Sequence, residues 1–135
     1  MKPSTFLAID LGAESGRFIL GMLNKNQLEL KEVHRFQNRG VELCGHLYWD
    51  VLYMWNEIKE GISKAASQSD GELRSISVDT WGVDFGLLDA KDRLIENPYH
   101  YRDSRTNGMM EKVFQLVPEK EVYAQTGIQF MQLNS

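Results

Sequence analysis

Apolar and polar residues follow two different periods along this chain. Phe6-Leu7-Ala8-Ile9 is a short continuous apolar run and predicts a buried strand over Thr5 to Asp10. Gly16 to Leu23 reads as its hairpin partner, Asn24-Lys25-Asn26 as the next turn, and Gln27 to Phe36 as a third strand. In that third stretch Leu28, Leu30 and Val33 give the broken alternation of a strand with one wet face. Three consecutive antiparallel strands therefore open the chain. Asn38 to Cys44 is polar and glycine-bearing and predicts a loop, with His46 to Trp49 a short extended piece. The period then changes. Val51, Trp55, Ile58, Ile62 and Ala65 recur at steps of four and three, which places them on the inner face of a helix from Val51 to about Ser67, with Asp50 as N-cap and Trp55 as a core residue.

Gln68 to Glu72 predicts a loop and Leu73 to Asp79 a strand containing Ile76 and Val78. A further extended stretch, Val83 to Leu88, is closed by Asp89-Ala90-Lys91-Asp92, and Asn97-Pro98 marks a break. A second helix is expected from about Asn107 to Val117, with Met109, Met110, Val113, Phe114 and Val117 turned inward; Pro118 opens a third that ends near Gly127. A helix between strands makes the fourth strand parallel to one of the first three. The expected fold is α/β, a mixed sheet with helices on its faces. Asp10 and Asp79 then end two apolar strands at the same end of that sheet, where open α/β sheets form their ligand crevices.

Composition narrows the function. The 135 residues carry 15 basic and 19 acidic side chains, a net charge of -4, and 42% hydrophobic residues, which fits one globular unit with no composition shift to mark a second. Without a basic stripe the chain is not expected to bind nucleic acid, and a small ligand or protein partner is the better default. Cys44 is the single cysteine, so no internal disulfide is expected, which suits a reducing cytoplasm. Met1 to Thr5 precede only four apolar residues, too few for a signal-peptide core, and no run has the length to cross a membrane; a cytoplasmic location is expected.

The densest chemistry lies in Asp10-Leu11-Gly12-Ala13-Glu14-Ser15-Gly16-Arg17. Glycines let a backbone approach a ligand closely so that successive N–H groups form an anion nest, and Ser15 and Arg17 add side-chain donors. Asp10, among apolar neighbours, needs a partner or a cation, and a magnesium ion would serve. The stretch is neither a Walker loop nor a dinucleotide fingerprint, because Gly16 is followed by a strand. A plain hairpin turn remains the alternative. Asp79 and Asp84 make a weak case for paired glycosidase carboxylates, and Asp84 is as well read as an organiser of the turn around Gly82. His34, His46 and His100 lack metal-ligand spacing, with His100 nearest the candidate site; Tyr99 and Tyr101 could stack on a sugar but read better as half-buried strand aromatics; Cys44 has no activating partner.

Together with Ile76 to Phe85, which contains Asp79-Thr80-Trp81-Gly82-Val83-Asp84, and with Tyr101 to Thr106, the first loop resembles the amino-terminal region of the FGGY family of sugar kinases. His34-Arg35-Phe36, Leu47 to Asp50 and Thr126 to Phe130 tighten the resemblance to the branch acting on L-rhamnulose. The resemblance implies a ribonuclease H-like (actin-like ATPase) domain and ATP-dependent phosphorylation of a ketose at a primary hydroxyl, with L-fuculose, D-xylulose, glycerol or a non-catalytic nucleotide-binding role as alternatives. It implies that Asp10 positions Mg2+, that Gly12, Ala13, Glu14, Ser15, Gly16 and Arg17 hold the ATP phosphates, and that Trp81, Gly82, Val83, Asp103 and Arg105 border the sugar. Glu14 departs from the small or hydroxylated residue usual at its position. No counterpart of the family's catalytic aspartate or adenine pocket precedes Ser135, so residues 1–135 are expected to be part of the first kinase domain, inactive without the remaining kinase domains as partners.

Overall fold

The computed structural model describes residues 4–69 and 73–134. The chain forms two compact units, where composition predicts one: residues up to 39 together with 50–82, and residues 40–49 together with 83 onward. The excursion at 40–49 pairs with itself and with later segments, a long-range choice that composition does not record.

In the first unit β1 (Ser4–Leu11), β2 (Ser15–Asn24), β3 (Gln27–Gln37) and β6 (Leu73–Thr80) form one sheet in the order β3-β2-β1-β6. The first three run antiparallel, and β6 is parallel to β1, as the helical crossover requires. Alternation in β1 turns Thr5, Leu7, Ile9 and Leu11 to one buried face, where Phe18 and Leu20 of β2 and Phe36 of β3 join them. Helix α1 (Val51–Gln68) covers this face with Met54, Ile58, Ile62 and Ala65, and Gly61 lies so close that a Cβ there would stand 2.5 Å from the Phe18 ring. Asp50 caps it, accepting a 2.9 Å bond from the Tyr53 amide. Trp55 is not on the inner face: it is 56% exposed, because Met54 and Gly61 share the buried stripe with Ile58, Ile62 and Ala65. The mixed sheet and its helix are as expected, and Phe6, Leu23, Leu28 and Leu30 lie exposed on the face opposite α1.

In the second unit, Asn38 to Cys44 is not all loop. Gly40–Leu43 is strand β4, paired with β5 (His46–Trp49) through a two-residue turn in which Cys44 and Gly45 both have positive φ, the geometry that matches strand twist. The expected strand at Val83 to Leu88 is irregular chain with a single bridge, Leu88 to Leu94. Helix α2 (Met109–Leu116) begins two residues later than expected, after Gly108 in the left-handed region, and none of its side chains is buried. Pro118 is the N-cap of α3 (Glu119–Thr126) and not its first turn, and Gly127 ends it. The core here is Trp49 with three polar companions, His100, Asp103 and Thr106. No helix among the described residues is long and apolar enough to cross a membrane. Residues 1–3, residues 70–72 of the expected Gln68 to Glu72 loop, and Ser135 lie outside the described residues.

Candidate functional site

The β1–β2 hairpin places Asp10 directly opposite Arg17, and the parallel pairing places Asp10 beside Asp79. One register thus aligns two carboxylates and a guanidinium at the carboxyl end of β1 and β6. Arg17 Nη2 donates to Asp10 Oδ2, so the partner that a carboxylate between apolar neighbours needs is supplied across the hairpin. Both side chains remain about two-fifths exposed and open to a ligand. Among the described residues no three His, Cys, Asp or Glu side chains converge as a metal cluster. One or two carboxylates with water and phosphate oxygens suit Mg2+, which keeps several waters, better than an all-protein cage would.

The turn between the strands is shaped by its supports. Neither Gly12 nor Gly16 has positive φ. A Cβ on Gly16 would lie 2.1 Å from the Phe36 ring, and one on Gly12 would lie 3.0 Å from the Ser15 carbonyl, so these glycines serve close packing and not a left-handed nest. The Gly12 amide donates to Ser15 O at 3.0 Å, whereas those of Ala13 and Glu14 have no main-chain acceptor among the described residues. Two free donors therefore stand at the tip. Glu14 is exposed, so its carboxylate can point away from an anion at those amides.

Asn38, just past β3, was expected to be ordinary loop. It is 3% exposed, its Nδ2 donates to Gly12 O at 2.9 Å, and its amide donates to Glu14 O at 2.9 Å. No local signal marks it, because its contacts lie 26 residues away.

Of the residues expected to border the sugar, Trp81 and Gly82 belong to the first unit and Val83, Asp103 and Arg105 to the second. Trp81 packs against the first unit's core, and Gly82 has open space where a Cβ would be. Val83 opens the second unit's segment with φ +70, a left-handed conformation that a β-branched residue rarely holds. Such outliers cluster at ligand sites. Asp84 Oδ2 accepts a 2.7 Å bond from the buried Trp49 indole, a structural use that replaces the glycosidase role.

Asp103 is 1% exposed and accepts bonds from the Leu47 amide at 2.7 Å, the Arg105 amide at 3.0 Å and His46 Nδ1 at 3.2 Å. Burial pushes its pKa up, but the two amides and His46 outweigh that and hold it below 3.8. Its carboxylate fixes the loop on which Arg105 sits, and Arg105 lies over the Tyr99 ring at 4.5 Å. Tyr99 in turn packs on Tyr48, whose phenol is pushed up to about 12 by its hydrogen bond with Tyr99 and by desolvation. His100 stacks on Trp49 at 4.0 Å and accepts the Arg102 amide on Nδ1, and desolvation lowers its pKa. All three histidines have protein partners, His34 with Glu57 and Lys64.

Residues 5–135 match the N-terminal domain of the FGGY family of carbohydrate kinases. A rhamnulokinase of Bacteroides thetaiotaomicron is 45% identical over 130 residues and one of Oceanobacillus iheyensis 44% over 129, each covering 96% of this chain. The chain spans 27% of their length. Among solved structures, gluconate kinase from Lactobacillus acidophilus superposes with a TM-score of 0.82 at 15% identity, covering 97% of this chain and 26% of that one. Plasmodium falciparum glycerol kinase with ADP superposes with 0.73 at 15%, covering 98% and 27%.

Proposed function

Because the chain belongs to the FGGY family of carbohydrate kinases, we propose that its polypeptide transfers a phosphoryl group from ATP to L-rhamnulose, giving L-rhamnulose 1-phosphate. The observation that carries this is the registered trio Asp10, Arg17 and Asp79 at the mouth of a turn with two free amides. The identity of 44–45% to proteins named rhamnulokinase supports the sugar.

Phosphoryl transfer depends on alignment and on neutralising charge more than on covalent catalysis. The Ala13 and Glu14 amides, the Ser15 hydroxyl and Arg17 bind phosphate oxygens, with Gly12 and Gly16 shaping the approach. Asp10, aided by Asp79, holds Mg2+, which supplies charge neutralisation when bound. Since Asp10 also holds the Arg17 guanidinium, that cation is oriented before substrate arrives. Trp81, Gly82 and Val83 form the wall for the sugar, Arg105 donates to its hydroxyls, and Asp103 keeps the Arg105 loop in place. In this proposal the aspartate that removes the hydroxyl proton lies outside residues 1–135, and those residues by themselves are expected to give no turnover.

A coupled assay of the full-length polypeptide with ATP, Mg2+ and L-rhamnulose, L-fuculose, D-xylulose or glycerol tests this. L-Rhamnulose should give the highest kcat/KM. Equal turnover of another sugar would overturn the substrate, and no sugar-dependent turnover at all would overturn the kinase assignment.

A further inference from the structure

Among the described residues the turn from Gly12 to Ser15 has a single internal main-chain bond, yet two of its carbonyls, Gly12 and Glu14, are held from outside by one residue. We infer that Asn38 is a positioning residue for phosphate binding, fixing the Gly12 and Glu14 carbonyls and thereby aiming the Ala13 amide and pinning the peptide planes on either side of the Glu14 amide. This rests on the proposal that the turn binds ATP phosphates.

Geometry makes the assignment specific. A carbonyl accepts only, so the Asn38 side chain must present its NH2 to Gly12. The second clamp is the Asn38 amide itself, bonded to Glu14 O. Peptide planes that share these carbonyls carry the Ala13 and Ser15 N–H groups on their far ends, so fixing the oxygens fixes the directions of those donors. At 3% exposure water does not compete for the side-chain bond, and its loss leaves the turn free to rotate. Beneath it, the Phe36 ring under Gly16 anchors the strand end from which Asn38 projects. Asn38 touches no ligand in this scheme.

Steady-state kinetics of the full-length polypeptide, with ATP·Mg2+ binding by calorimetry and thermal unfolding alongside, test the inference on Asn38→Ala and on Leu20→Val, a core substitution remote from the turn. Asn38→Ala should lower kcat/KM for ATP about 10- to 100-fold, the scale of a positioning loss, while KM for the sugar stays within about twofold. Leu20→Val should lower the melting temperature and leave both constants unchanged. A folded Asn38→Ala protein with wild-type ATP constants, or with an equal loss in KM for the sugar, would overturn the inference. If Asn38→Ala does not fold, Asn38→Asp provides the measurement. A protonated carboxyl donates to the Gly12 carbonyl and an ionised one does not, so its kcat/KM for ATP should fall relative to wild type as pH rises. A pH-independent ratio would overturn the inference. A wild type that neither binds ATP nor turns over sugar would instead sink the phosphate-loop proposal on which it stands.

Discussion

Asp103 and His100 are buried side chains whose protonation is tied to the second unit. Desolvation depresses the His100 pKa below 6.5, with Arg102 adding to this and Asp84 and Asp103 opposing it. The unfolded chain therefore takes up that proton first, so the His100 contribution is complete above pH 6.5 and lost as pH falls below it. Asp103 is held below 3.8, so its contribution is present above that pH and is lost as pH falls through the lower folded value. Thermal unfolding from pH 7.5 to 3 should show the melting temperature dropping in two stages. In His100→Asn, whose amide oxygen can still accept from Arg102, the upper stage should vanish; an unchanged profile would contradict the assignment. Val83 carries backbone strain of about 1–3 kcal/mol by analogy with other left-handed residues. Val83→Gly should raise stability by about 1 kcal/mol, less the entropy glycine gains in the unfolded chain, and raise KM for the sugar in the full-length polypeptide. A lower melting temperature would show that Val83 is unstrained.

At the level of elements, α1 and β2 set each other's side chains. The Phe18 ring occupies the space that a Gly61 Cβ would need, so Gly61→Ala should destabilise by about 1–3 kcal/mol of overpacking, against about 1 kcal/mol of gained helix propensity. Trp55→Ala, on the exposed side of the same helix, should change the stability of this chain by about 0.5 kcal/mol or less. Chemical denaturation of both variants checks the pair. Reversal of their order would mean that the stripe through Trp55, and not the one through Gly61, faces the sheet.

At the scale of the whole chain, the sheet of the first unit has unpaired and apolar surface among the described residues. Strand β6 is an edge of the sheet with Ile76 49% and Val78 59% exposed, and Phe6, Leu28 and Leu30 stand on an uncovered face. Edges and patches of this kind template association. The 135-residue chain alone should therefore self-associate in sedimentation velocity, and Val78→Lys should reduce it; a monomer at all concentrations would refute this. Local pattern was enough to establish strands β1 to β3, the Asp50 cap, helix α1, strand β6 and the Asp10 to Arg17 turn, because each rests on side-chain period or on turn chemistry within a few residues. It was also enough for the family resemblance, which the match over residues 5–135 bears out. Tertiary structure alone decided that Asp10 lies beside Asp79, that Phe36 dictates Gly16, that Asn38 holds Gly12 and Glu14, that β4 pairs with β5, and that Trp55 faces outward. Those outcomes depend on which distant surfaces meet, and contact between residues far apart in sequence leaves no periodic trace in the chain that makes it.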